Sequence, residues 1–413
     1  MFTRKKLIIL LSLIGPGIIT SNIDNDAGGI AIYSIAGAHY GYNLLWTLIP
    51  IVFLLIVYQE MSARMGVVTG KGLADLIREN YGIRTAFWVM VCLFFTNLGN
   101  TMAEFSGWAA SMELFNVSKY ISVPLGAIFV WFLVRRWNYS IFEKIFLFVC
   151  LIYLTYIFSA FSAKPDWKEV MTKTITPSIQ WNMDYLIIVV SIIGTSITPW
   201  QQFYLQSNVV EKGLSEKYLW ASRFDVIFGS IMMGVVAYFI IVACGATLFP
   251  AGIRIDSAED AALSLKPLAG KYAYILFAVG LANASLFSAC ILPLATTYYI
   301  CEAFGWEAGI GKSFKEAPQF MSMFTIILIL GASFILIPNL PLIKVMWFSQ
   351  IINCLLLPVV LVFMLRLINN KELMGEFKNS LWTNIISYTS TAMLIILSIT
   401  LLFNTVADFF RVH

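Results

Sequence analysis

Asn22-Ile-Asp-Asn-Asp-Ala-Gly-Gly29 interrupts an apolar segment that runs from about Leu7 to Ala38. An intact membrane helix has no reason to carry two carboxylates, two carboxamides and a glycine pair at its centre. An ionised group at bilayer depth is expensive unless protein, water or an ion stabilises it. The glycine pair lets the backbone leave helical geometry. Unwound backbone is tolerated inside a membrane only where it is buried in protein or lines a watery cavity. The stretch therefore reads as a broken helix that binds a cation; the plainer alternative is a polar packing kink.

The composition of the chain supports this reading. Of its 413 residues 59% are hydrophobic and only 12% are charged. Apolar runs long enough to cross a bilayer recur along the sequence. Eleven spans are expected, at 7–38, 43–64, 86–112, 120–136, 141–161, 184–208, 221–249, 271–300, 320–337, 340–367 and 382–406. The protein is expected to be an all-α integral membrane protein of one transmembrane domain. The first apolar segment lacks a convincing cleavage site and is expected to stay in place. The net charge of +4 is small and no basic run suggests nucleic acid. The six cysteines are scattered through apolar spans without a CxxC pair, and read as packing residues. With His39 and His413 as its only histidines, the chain is poorly equipped for histidine-based zinc or iron chemistry.

Arg4, Lys5 and Lys6 precede the first span, and most of the 27 Lys and Arg residues join them on one side if the spans alternate. The positive-inside rule then places the N-terminus in the cytoplasm and the C-terminus outside. Insertion in a bacterial plasma membrane as a monomer is expected.

A second break lies in the sixth span, at Gly194-Thr-Ser-Ile-Thr-Pro-Trp-Gln-Gln202. Pro199 removes a helical hydrogen bond and clashes with the preceding turn. Thr195, Ser196, Thr198, Gln201 and Gln202 surround it with oxygens. Paired interruptions in corresponding positions of two halves point to a transporter site at the midplane. Spans one to five (7–161) and six to ten (184–367) are then inverted repeats, and 382–406 is an added helix. This is the LeuT-like five-plus-five plan, with helices 1 and 6 broken. Five spans per half make the halves antiparallel, as inversion requires.

Other polar residues lie within spans. Asn97, Thr101 and Glu104 share one face of span three and should face the bundle interior. Gln350 and Asn353 share a face of span ten, and either serve a cavity or knit helices. Glu60 and Arg64, at i and i+4, read as a structural ion pair, and Asp225 near Arg223 reads the same way. Asn283, Ser285 and Ser288 read as helix-packing residues of span eight.

Gly15-Pro-Gly17, Asp26-Ala-Gly-Gly29 and Ala36-Gly-Ala-His-Tyr-Gly-Tyr42 together resemble the first helix of the Nramp metal-ion transporters. Further matches are Arg64-Met-Gly-Val-Val-Thr-Gly-Lys71, Leu76-Ile-Arg-Glu-Asn-Tyr-Gly82, Ala103-Glu104, Gln350, and Leu373-Met-Gly-Glu-Phe377. The family pattern Asp-Pro-Gly-Asn places Asp26 on its metal-binding Asp and Gly29 on its metal-binding Asn. The departures are as informative. The family's Met-Pro-His of the sixth helix is here Thr198-Pro199-Trp200, and the resemblance implies one extra residue after it. A span-three acid of the family falls on Thr101. The Arg of its ninth span has no counterpart between Phe320 and Ile337.

This combination is similar to the divergent branch of Nramp-related magnesium transporters. Loss of an Asn and a Met leaves hard oxygen donors and a wider site, which suits a partly hydrated Mg²⁺. The resemblance implies that Asp26 supplies the main charge. Thr198, Gln201 and the Thr195 carbonyl are candidate oxygens, and Asp24 and Asn22 candidate outer contacts. Glu104, Thr101, Asn97 and Asn353 fall on the ion path or proton relay. The transported ion is expected to be Mg²⁺ or Mn²⁺, with no resident cofactor and weak or absent proton coupling. Proton-coupled Mn²⁺/Fe²⁺ uptake, sodium-coupled transport of a small molecule, and a non-transporting receptor or enzyme are the alternatives. Two acids in the first break make an anionic substrate awkward, and no nucleophile–base pair supports an enzyme.

Overall fold

The computed structural model describes residues 16–136, 150–309 and 311–412, and among them every regular element is helical. The beginning of span one, the first half of span five, and Arg4, Lys5 and Lys6 lie outside the described residues, as does His413. Span one is α1 (Pro16–Ile23) and α2 (Ala27–Tyr40), separated at Asp24, Asn25 and Asp26. Spans two to four are α3 (Leu45–Thr69), α4 (Leu73–Glu113) and α5 (Lys119–Arg136). Span five ends in α6 (Leu154–Ser162), and α7 (Trp167–Ile175) caps the loop that follows. Span six is α8 (Met183–Ser196) and α9 (Pro199–Glu211), separated at Ile197 and Thr198. The remaining spans are α10 (Leu219–Thr247), α11 (Ala273–Phe304), α12 (Pro318–Ile335), α13 (Leu342–Ile368) and α14 (Leu381–Val412). Among the described residues eight segments are long and apolar enough to cross a membrane. Both breaks therefore fall inside the stretches where charge and proline placed them.

Span three starts earlier than its apolar run suggests. The polar stretch from Leu73 is already helical and joins the membrane part through Gly82, whose φ of 80° bends the chain. Apolar periodicity sees only the membrane-embedded part, so it misses such an extension.

The helices pack in an exchanged pattern. Both halves of span one lie on α10 of the second half, and both halves of span six lie on α3 of the first. At the centre α4 packs along α11 and α13. Lipid gives helices little hydrophobic reason to associate, so close approach of small residues carries much of the packing. Gly37 illustrates this: a Cβ there would stand 2.7 Å from the Cys244 Cβ, on α10. Gly194 is tighter still. A Cβ there would collide with the Gln350 carbonyl and lie 3.0 Å from the Cys354 amide nitrogen. Gly194→Ala is expected to cost about 1–3 kcal/mol by overpacking α8 against α13. A lowered thermal unfolding midpoint in detergent checks this; an unchanged midpoint would mean the two helices separate freely.

Glu60 and Arg64 form the expected pair at 3.1 Å. Arg64 also donates to the Phe377 carbonyl and Asn379, fastening α3 to the segment before α14. Asp225 does something other than pair with Arg223. Its carboxylate accepts the Gly17 N–H at 2.6 Å, at the start of α1, while Arg223 reaches Glu60 at 2.8 Å. A helix N-terminus has amides without intrahelical acceptors, and a buried carboxylate satisfies one well.

Candidate metal site between the two breaks

Asp26 is the N-cap of α2. Its backbone is extended, and its Oδ1 accepts the Gly29 N–H at 2.7 Å. The cap fixes the carboxylate at the positive end of α2, where a negative charge is favoured. Asp26 is 7% exposed and Asp24 1%. Asp24 Oδ1 accepts a short hydrogen bond from Gln201 Nε2, and Gln201 Oε1 accepts the Thr198 N–H at 3.1 Å. Gln201 thus joins the two breaks through its side chain. The Tyr33 and Ser196 hydroxyls, 2.9 Å apart, join them a second time.

Pro199 has no N–H, so the Thr195 carbonyl lacks the donor that a continuous helix would give it. Thr195 Oγ1 lies 3.2 Å from where a Cβ on Gly29 would be. Among the described residues Asp24 Oδ2, Thr195 Oγ1 and Glu104 Oε1 are buried without a protein hydrogen-bond partner, and Thr198 Oγ1 faces the Gln201 N–H in the capping box of α9. Buried oxygens left this way are costly. Water or a cation relieves that cost, and these donors are all hard oxygens.

Gly29 is fixed by its surroundings. A Cβ at this position would run into the Asp24 carbonyl. Gly28 is covered more loosely, by the movable side-chain amide of Gln350. Gln350 therefore reaches the first break from α13. It also accepts from Asn353 at 2.9 Å, and Asn353 and Asn100 donate to each other at 2.9 and 3.0 Å. Asn100 bonds Asn97, which donates to Thr296 on α11 at 2.7 Å. Asn97 and Asn353 thus knit α4, α11 and α13 together. Thr101 bonds the Asn97 carbonyl of its own helix at 2.8 Å, with its methyl against Gly331.

Glu104 is fully buried beside the first break. Its Oε2 accepts the Ala27 N–H at 3.3 Å, one residue after Asp26. A second carboxylate beside the Asp26 turn adds a hard oxygen donor to it. Asn22 lies in the last turn of α1; its side chain is outside the described residues.

Several residues that hold the two breaks carry little signal in the sequence. Ser21 donates to Gln59 at 2.9 Å, and Ser62 donates to Gln202 at 3.1 Å. One face of α3 thereby holds both breaks. Gln59 and Ser62, three apart in an apolar span, were the available signal. The Asn25 carbonyl accepts from Tyr153 of span five at 2.8 Å.

Two broken helices set against each other at the centre of an all-helical membrane bundle define the five-plus-five inverted-repeat class of transporter. The Nramp model, described as natural resistance-associated macrophage protein-like, matches residues 17–404, and the chain belongs to this family. The divalent metal cation transporter MntH of Clostridium acetobutylicum is 26% identical over 413 residues, covering 96% of this chain and 91% of that protein. The solved manganese transporter of Eremococcus coleocola superposes with a TM-score of 0.84 at 20% identity, over 99% of this chain and 90% of that one. Mhp1, a nucleobase-cation-symport-1 family transporter, shares the fold with a TM-score of 0.61 at 13% identity, over 94% of this chain and 92% of its own.

Proposed function

We propose that this protein moves a divalent metal cation, Mg²⁺ foremost and Mn²⁺ second, by alternating access through the space between the two breaks. The observation that carries the reading is the pair of unpartnered buried oxygens on Asp24 and Thr195, with the Thr198 hydroxyl at the neighbouring cap of α9 and the two breaks joined by the Gln201–Asp24 bond. Asp26 supplies the principal charge, and Asp24 doubles it. Thr198 stands where the family's soft sulfur would be, and the donors that remain suit an ion that keeps part of its water shell. The named transport activities of the MntH and Eremococcus relatives agree with a divalent cation. Spans one to five and six to ten act as the two repeats, with the N-terminus cytoplasmic and the chain a monomer. An inside-negative potential drives uptake: a divalent charge crossing about 100 mV releases roughly 4.6 kcal/mol.

A second reading has its own support. Glu104 is held on the Ala27 N–H beside the first break, and a carboxyl placed there is suited to release a proton when a metal arrives, which is the basis of proton-coupled Mn²⁺ uptake. One experiment separates the two: Mg²⁺ influx into proteoliposomes at fixed membrane potential, with internal pH followed in the same vesicles. Mg²⁺ entry without acidification supports the first reading. Mn²⁺ entry with protons, and none of Mg²⁺, supports the second.

Glu104→Gln extends the test. The amide keeps the Ala27 contact and removes the titratable proton. Under the uncoupled reading Mg²⁺ uptake keeps its pH profile and changes by less than about threefold. A flattened pH profile would transfer the proton role to Glu104. Thr198→Met reintroduces a soft ligand and is expected to strengthen Cd²⁺ binding about tenfold, roughly 1.4 kcal/mol. Calorimetry with no change in Cd²⁺ affinity would remove Thr198 from the site.

A further inference from the structure

A groove of about 520 Å³ runs between α3, α8 and α14, outside the site described above. Its walls are almost wholly apolar, among them Leu54, Val189, Ile193 and Leu397. Trp46, Trp181 and Tyr185 stand at its mouth, and Trp181 is 95% exposed. Tyrosine and tryptophan collect at this level of a membrane, where the ring is apolar and its edge is wet. The polar atoms of the mouth are tied down: Trp46 Nε1 donates to the Tyr185 hydroxyl at 3.3 Å, which donates to the Ser178 carbonyl at 2.7 Å. The inner end is Ile197, a residue of the span-six break.

Three properties identify the occupant. The groove is formed entirely by membrane spans and one flanking loop, and so is continuous with the bilayer-facing surface. Twelve positions separate Tyr185 from Ile197 along α8, roughly 18 Å at 1.5 Å per residue. One leaflet of hydrocarbon is about 15 Å deep, half of the ~30 Å core. The groove therefore begins at an interfacial aromatic belt and ends near the midplane, as a phospholipid acyl chain does. Its volume lies within the range of sites that enclose a molecule of that size.

We propose that this groove binds one acyl chain of a phospholipid from the leaflet on the side of the 163–182 loop. The chain lies along α8 with its terminal methyl against Ile197. It braces the outer half of span six against α3 and α14, directly beside Thr198. Movement of α8 in the transport cycle must then displace or carry the chain.

The test is photo-crosslinking of the full-length protein in vesicles of phosphatidylglycerol and phosphatidylethanolamine. A trace of phospholipid carries a diazirine near the end of one chain, and labelled peptides are mapped by mass spectrometry. Labelling of Ile193, Ile197 and Leu397 is expected at least about fivefold above that of the lipid-facing Leu125 and Ile329. Leu397→Trp, which fills the groove, should abolish groove labelling and leave Leu125 and Ile329 unchanged. Val189→Trp serves the same purpose from α8, should the first variant not fold. Uniform labelling of all apolar faces, labelling insensitive to both variants, or no label in the groove at all would overturn the proposal. The outcome does not depend on which ion is transported.

Discussion

Asp26→Asn is expected to lower divalent-cation uptake about a hundredfold while folded protein accumulates at its usual level. The choice of Asn follows from the two roles of this side chain. As N-cap of α2 it accepts the Gly29 N–H, and removing a cap costs about 0.5–2 kcal/mol. An Asn oxygen caps equally well, so the helix start is preserved. The charge is lost, and with it the strongest attraction in the site for a dication. Losing the charged partner of a buried ion is worth about 3 kcal/mol or more, which corresponds to roughly a hundredfold in binding. Asp26→Ala removes cap and charge together and should show lowered thermal stability besides. Radiotracer or fluorescent-indicator uptake, normalised to monodisperse protein, makes the comparison. Unreduced uptake by Asp26→Asn would sink the assignment of the ion to this break, because Asp26 is the carboxylate that the break itself fixes as the cap of α2.

Gly29→Asn is expected to abolish transport of Mg²⁺ and Mn²⁺ alike. The family resemblance invites the opposite expectation, since it restores an Asn at a metal-binding position. Packing decides against it. Any Cβ at position 29 enters the space of the Asp24 carbonyl, a backbone atom that cannot rotate away, and approaches Thr195 Oγ1. The turn of Asp24, Asn25 and Asp26 would have to open, and opening it separates Asp24 from Gln201. Overpacking of this kind costs about 1–3 kcal/mol, here concentrated on the residues that gather the oxygens. Gly29→Ala is the control: it carries the collision without the carboxamide, and should lose most uptake as well. If Gly29→Asn instead gains Mn²⁺ transport, the turn yields to its neighbours and the missing Asn is a matter of ligand chemistry alone. If Gly29→Ala is neutral, the collision is relieved by a small shift and the packing argument fails.

The polar chain from Gln350 through Asn353, Asn100 and Asn97 to Thr296 adds a second level of control. Every link is a satisfied hydrogen bond between different spans or turns. Partly satisfied networks in a low dielectric are costly, whereas complete ones fix a unique arrangement. This chain holds α4 and α13 at the distance that lets Gln350 rest on Gly28. Asn97 and Asn353 thus act on the site by positioning it, whereas Glu104 touches the Asp26 turn directly.

Much of this molecule was legible before any coordinates. Charges, amides, glycines and prolines are conspicuous inside apolar spans because hydrocarbon penalises them, so Asp24, Asp26, Glu104 and Pro199 marked themselves. Both helix breaks, the all-helical class and the family follow from such local signals. The relations across the chain were not legible. Gln201 meets Asp24 over a separation of 177 residues, and Gly29 is excluded from bearing a side chain by a carbonyl five residues earlier in a turn of irregular shape. Gln59 and Ser62 looked like ordinary polar residues of span two until the fold set one break on each. Asp225 sat beside a plausible partner in Arg223, and the fold gave it the amide of Gly17 instead. The sequence by itself determined where the backbone must leave the helix and which hard-oxygen side chains stand there, because the cost of a polar group in lipid is paid residue by residue. Only the tertiary structure decided which of those oxygens face one another and which position has no room for a side chain, because both depend on how distant helices pack.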